Sequence, residues 1–135
     1  MPNYADGKIY TIRNRNDTTL IYVGSTTQPL YKRFYKHKEH STTDRKCYFH
    51  NLVEDWNDWY IELYEKFPCE SSENLLKREG EVIREIGKLN KNIAGRTKNE
   101  YMKEYYQKVE SEKNIYGFVV QNSLIYKIEN AIIIN

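Results

Sequence analysis

Lys8-Ile9-Tyr10-Thr11-Ile12, then Thr19-Leu20-Ile21-Tyr22-Val23-Gly24-Ser25, then Arg33-Phe34-Tyr35-Lys36-His37 is the stretch on which the reading of this chain turns. Residues 8–14 and 19–25 are rich in β-branched and tyrosine side chains and read as two strands. Between them Asn14-Arg15-Asn16-Asp17 is a turn cluster, because Asn and Asp side chains bond their own backbone. A hairpin closed by an Asn14–Thr18 pair would set Tyr10 directly opposite Tyr22, with both phenols on one face. A slip of one residue would part them. Gly24 ends the second strand where backbone must turn or be approached closely. Pro29 suits the first turn of a helix with Thr27 or Gln28 as cap, and Leu30, Phe34 and His37 recur at helical spacing. Arg33 and His37 stand four apart and share a side of that helix.

Working outward, Phe49, Leu52, Val53 and Trp56 predict a short helix over 46–56. Residues 59–67 predict a third strand, stopped by Pro68. Ser71 or Ser72 caps the next helix, which ends near Gly87 and carries the stripe Leu75, Leu76, Val82, Ile83 and Ile86. Glu79 falls inside that stripe, while Glu81 lies on the charged side. A carboxylate on a buried face is costly unless paired or bound to a cation, so Glu79 is the strongest physical oddity in the sequence. These elements predict an α+β domain over 1–95, a small, mainly antiparallel three-stranded sheet flanked by helices. Residues 96–135 read as an extension. Thr97 and Glu100 form a capping box for a helix bearing Tyr101, Met102, Tyr105 and Val109 on one side. Its charges balance, so packing or linkage is favoured over nucleic-acid contact. An apolar, β-branched segment follows at 118–135, readable as an added strand or a docking segment.

Composition bounds the function classes. A 135-residue chain, 39% hydrophobic and 30% charged, is one ordinary globular domain. No apolar run is long enough for a membrane span, and the N-terminus lacks the apolar core of a secretory signal. Cys47 and Cys69 have no metal spacing and imply a reduced, intracellular setting. Residues 1–50 hold nine Lys and Arg against four Asp and Glu, a basic half compatible with a polyanionic partner.

Lys8-Ile9-Tyr10, Tyr22-Val23-Gly24-Ser25 and Arg33 with His37, followed by Arg78-Glu79-Gly80-Glu81 and Leu89-Asn90, together resemble the GIY-YIG nuclease domain over about residues 7–93. Lys8 stands where the family's name has glycine, and Val23 where it has isoleucine. Any single piece is commonplace; the ordered set is not. The resemblance implies hydrolysis of phosphodiester bonds in DNA with one divalent ion, Mg²⁺ or Mn²⁺, on Glu79. It further implies Tyr10 as the base or its relay, Tyr22 bonded to the nucleophile or phosphate, and Arg33 holding the phosphate. His37 would assist proton transfer, and Asn90 would orient the phosphate or pin its loop. Lys8 and Gly24 would lie near the substrate. His40 and His50 have no helical alignment with Arg33. Such a chain suits a mobile element, phage or virus, as homing endonucleases do. The competing expectation is a module that keeps the fold, binds nucleic acid and does not turn over.

Overall fold

The computed structural model describes residues 1–115; the segment expected at 118–135 lies outside them. The chain divides into two units, Met1–Arg96 and a second beginning at Thr97. The first contains β1 (Lys8–Asn14), β2 (Ile21–Thr26), α1 (Leu30–His40), β3 (Trp59–Lys66) and α2 (Ser72–Ile86), with 3-10 turns at Tyr4–Asp6, Tyr48–Leu52 and Trp56–Asp58. The second contains α3 (Lys98–Ile115). There Glu100 N donates to Thr97 Oγ1 at 3.1 Å and Thr97 N to Glu100 Oε1 at 2.9 Å, the reciprocal cap expected of that pair.

The sheet has the order β2-β1-β3 and is antiparallel throughout, so the architecture is the α+β fold expected. The hairpin register differs from the expectation. Tyr10 pairs with Gly24, and Tyr22 pairs with Ile12. The cause is the loop. Asn14 Oδ1 accepts from the backbone of Asn16 at 2.8 Å and Asp17 at 3.0 Å, and Leu20 N then donates to Asp17 O at 3.2 Å. Pairing resumes only at Arg13–Ile21, two residues later than a minimal hairpin would give. Because side chains alternate with period two, a displacement of two preserves the face. Tyr10 and Tyr22 therefore remain on one side of the sheet, as diagonal neighbours.

That alternation makes two cores. Ile9 and Val23 point to one face and pack with Leu75, Val82 and Ile83 of α2. Tyr10 and Ile12 point to the other and pack with Phe49, Trp59 and Leu89, flanked by Leu30 and Phe34 of α1. The helix expected over 46–56 is instead two separate 3-10 turns. His50 N bonds Cys47 O at 3.0 Å, Val53 N bonds His50 O at 3.2 Å, and Asp55 then caps the second turn. Phe49 is still buried, but Leu52 is exposed. In α2, Ser71 Oγ accepts from Asn74 N at 3.2 Å and Gly87 closes the helix, as the sequence predicts. Leu76 departs from the predicted stripe and is 41% exposed. Gly80 is buried because the returning chain crosses it: a Cβ there would sit 2.2 Å from Ala94 O.

Candidate active site

The site forms where β2, the edge strand, carries a residue with no side chain. The Tyr10 ring lies across Gly24 so closely that a Cβ there would be 2.4 Å from both Cζ and Oη. The pairing of Tyr10 with Gly24 thus explains the glycine: it leaves room for the phenol tip at the sheet edge. Arg33 and His37, one turn apart on α1, both reach that tip. Arg33 Nε donates to Tyr10 Oη at 3.1 Å, and His37 Nε2 lies 2.8 Å from the same oxygen. Tyr22 is wedged beside them, stacked on Phe49 at 4.3 Å and edge-on to His37 at 5.5 Å. Its hydroxyl lies 3.9 Å from Cys47 Sγ.

Ser25 follows Gly24 and points to the opposite face, where α2 packs. There Ser25 Oγ donates to Glu79 Oε1. Glu79 is half-buried, whereas Glu81 is exposed and bonded to Arg78 at 2.8 Å. Among the described residues Glu79 enters no salt bridge. The Tyr10 phenol and the Arg33 guanidinium on one face of the sheet and the Glu79 carboxyl on the other therefore feel one another's charge around the β2 edge. Ser25 and Arg33 line a cleft of about 700 Å³ there, with Thr26, Gln28 and Lys32.

The electrostatics follow from burial. Loss of hydration pushes the Glu79 carboxyl above its usual range, opposed by the Ser25 hydroxyl and the Arg33 charge. Burial also pushes the Tyr10 phenol far up, with Arg33 pulling it back and Glu79 adding to the rise. Tyr22 is raised for the same reason, next by Tyr10 itself. Burial lowers the His37 imidazole to about 2, helped by Arg33 and His50. His37 is thus a neutral ring in the folded protein.

Of the sequence candidates, Tyr10, Tyr22, Gly24, Arg33, His37 and Glu79 come together. Lys8 sits at the rim, its Nζ bonded to Gln28 O at 3.0 Å. Asn90 lies behind the site. It accepts from Val23 N at 2.9 Å and donates to Val23 O at 2.7 Å, which pins the chain after α2 to the edge strand. Sequence reasoning missed Ser25 and His50. His50 is 5% exposed, and its Nε2 lies 3.0 Å from His37 Nδ1. The available signal was Cys47-x-x-His50, three apart on a 3-10 turn rather than four apart on a helix. His37, Cys47 and His50 offer donor atoms within 4.8 Å of one another.

The pattern of these residues is matched by the GIY-YIG catalytic domain over residues 6–93. The chain belongs to that family. A relative of viral origin is the MSV199 domain-containing protein 146R of Invertebrate iridescent virus 6, 32% identical over 95 residues. That match takes in 69% of this chain but only 38% of the viral protein, so the chain spans well under half of that relative. The catalytic domain of homing endonuclease I-TevI has the same GIY-YIG fold. Its TM-score is 0.51 at 20% identity, covering 64% of this chain and 98% of that domain. No described helix is long and apolar enough to cross a membrane.

Proposed function

We propose that this GIY-YIG chain is a metal-dependent endonuclease that hydrolyses phosphodiester bonds in DNA. The supporting observation is the meeting of Arg33 with the Tyr10 hydroxyl, on the sheet edge where Glu79 is held by Ser25. Glu79 fits a hard divalent cation. Its carboxylate has lost hydration, its partner is a hydroxyl, and among the described residues no salt bridge neutralises it. Mg²⁺ or Mn²⁺ bound there would supply Lewis acidity at the scissile phosphate.

The chain's own residues do the rest. Arg33 commits Nε to Tyr10 and lines the cleft, so its remaining donors serve a phosphate and the charge that grows on it. Tyr10 acts as base in its phenolate form, and Arg33 stabilises that form. Tyr22 holds the nucleophile or phosphate by its hydroxyl. Asn90 serves the site indirectly by fixing Val23, the residue before Gly24. Residues 1–95 carry catalysis and 96–135 form an accessory extension. The viral relative and the homing-endonuclease likeness support an origin in a virus or mobile element.

The test is incubation of the full chain with supercoiled plasmid and Mg²⁺, with and without EDTA. Nicking or linearisation that EDTA stops is the expected result. Plasmid that is retarded on a gel but never cut, with either Mg²⁺ or Mn²⁺, would leave the binding module as the correct reading.

A further inference from the structure

We infer that His50 is a positioning residue that fixes the proton of His37, so that His37 donates to Tyr10 and does not accept from it. The inference deepens the nuclease reading and rests on it for its catalytic consequence. The direction of the imidazole contacts is set at the Cys47 end of the chain. A backbone N–H only donates, and Cys47 N lies 2.9 Å from His50 Nδ1. His50 Nδ1 therefore presents a lone pair, and the neutral ring carries its proton on Nε2. That proton points at His37 Nδ1, 3.0 Å away. His37 Nδ1 must accept, so the His37 proton resides on Nε2, 2.8 Å from Tyr10 Oη. The opposite polarity would require a proton on His50 Nδ1, facing the Cys47 N–H.

Both rings stay neutral for reasons visible in their surroundings. His50 is nearly inaccessible and faces His40 and Arg33 of α1 and Lys46 of the following loop, which lower it to about 4 after burial has acted. His37 faces Arg33, His40 and His50, with the Tyr10 and Tyr22 rings from the sheet and Phe49 packed against it. Tyr10 Oη thus receives two donors, Arg33 Nε–H and His37 Nε2–H. Neither of these two contacts accepts the Tyr10 proton, so together they favour the phenolate form. His37 stabilises the phenolate by donation and is not the group that takes the Tyr10 proton. A ring held in one tautomer by a second partner is a general way to fix the direction of a hydrogen bond.

The decisive measurement is the imidazole long-range proton–nitrogen correlation spectrum of the nitrogen-15-labelled full chain, which reads tautomers directly. The Nε2–H form is expected for both His37 and His50 between roughly pH 6 and 8, the range around the ordinary histidine value. His50→Gln retains an amide N–H for His37 Nδ1 and should keep the His37 proton on Nε2. His50→Leu removes the donor and should shift His37 toward the Nδ1–H form. In plasmid cleavage His50→Leu should lower kcat by roughly tenfold to hundredfold and move the pH–rate profile to higher pH, with KM unchanged. His50→Gln should restore most of the rate. A wild-type His37 found with its proton on Nδ1 would overturn the inference. So would a thiolate-to-cobalt absorption band on adding Co²⁺ together with displaced imidazole nitrogens, since it would make His37, Cys47 and His50 a metal site. If His50→Leu does not fold, the wild-type tautomers alone decide. If the wild type cuts no DNA, the nuclease reading fails while the tautomer result stands by itself.

Discussion

On one face of the sheet Ile9 and Val23 meet Leu75, Val82 and Ile83, all aliphatic; on the other, Tyr10 and Ile12 meet Phe49, Trp59 and Leu89, with His37 and His50 buried close by. The aliphatic face asks nothing of its neighbours but close packing, and its contribution scales with apolar area removed from water. The aromatic face carries polar atoms that are tolerable only because each is handed to the next, from the Cys47 backbone through two imidazoles to a phenol and a guanidinium. Continuous pairing fixes those atoms in place, as chemistry needs, and makes their face sensitive to protons. One face holds the fold, and the other aims the groups. Glu79 is the exception that joins them: an acid on the aliphatic side that reaches the edge through Ser25.

The largest effect is expected at Arg33 on the aromatic face. Arg33→Ala should cut the cleavage rate about 10³-fold, the scale of losing a charged donor at a developing oxyanion, with little loss of melting temperature. On the aliphatic face the expectation reverses. Ile9→Ala should cost about 2–5 kcal/mol in denaturant unfolding while the folded fraction still cuts. A third measurement separates the faces by pH. His37 and His50 have folded values below the ordinary value near 6.5, so the unfolded chain binds more protons as pH falls through it. Stability should be full above about pH 6.5 and decline at about 1.4 kcal/mol per pH unit for each imidazole toward pH 4. His50→Gln should flatten that slope by one imidazole's share; an unchanged slope would mean the buried rings do not govern it. The smallest effect belongs to the clip between β3 and α2, where Arg78 bonds Glu65 at 2.9 and 2.7 Å near the surface. Arg78→Ala should cost about 1 kcal/mol or less and leave cleavage unaltered.

Much of this was legible in the residues. The three strands, the Ser71-capped helix and the inward setting of Glu79 follow from periodicity and capping alone, because those signals are local. The face shared by Tyr10 and Tyr22 survived an incorrect register because the loop at 14–20 displaced the pairing by an even number. The role of Gly24 was obscured for the same reason, since its partner across the strands is Tyr10 itself. His50 was invisible to helical spacing. It acts from a 3-10 turn thirteen residues beyond His37, and a tertiary approach of that kind leaves no periodic trace. Ser25 gave no signal by itself, since a strand-end serine becomes informative only when the acid it meets is known.

The proposed task of Glu79 is to hold a cation, at a cost to the fold. A raised carboxyl is one whose charged form is disfavoured in the folded state, so at neutral pH the charge destabilises. Glu79→Gln keeps an oxygen for Ser25 and removes the charge. The full chain and this variant should be compared in one experiment, thermal melting at neutral pH beside plasmid cleavage in Mg²⁺. The expected variant melts higher and cuts nothing. A variant that still cuts at the wild-type rate, or that melts lower, would contradict it.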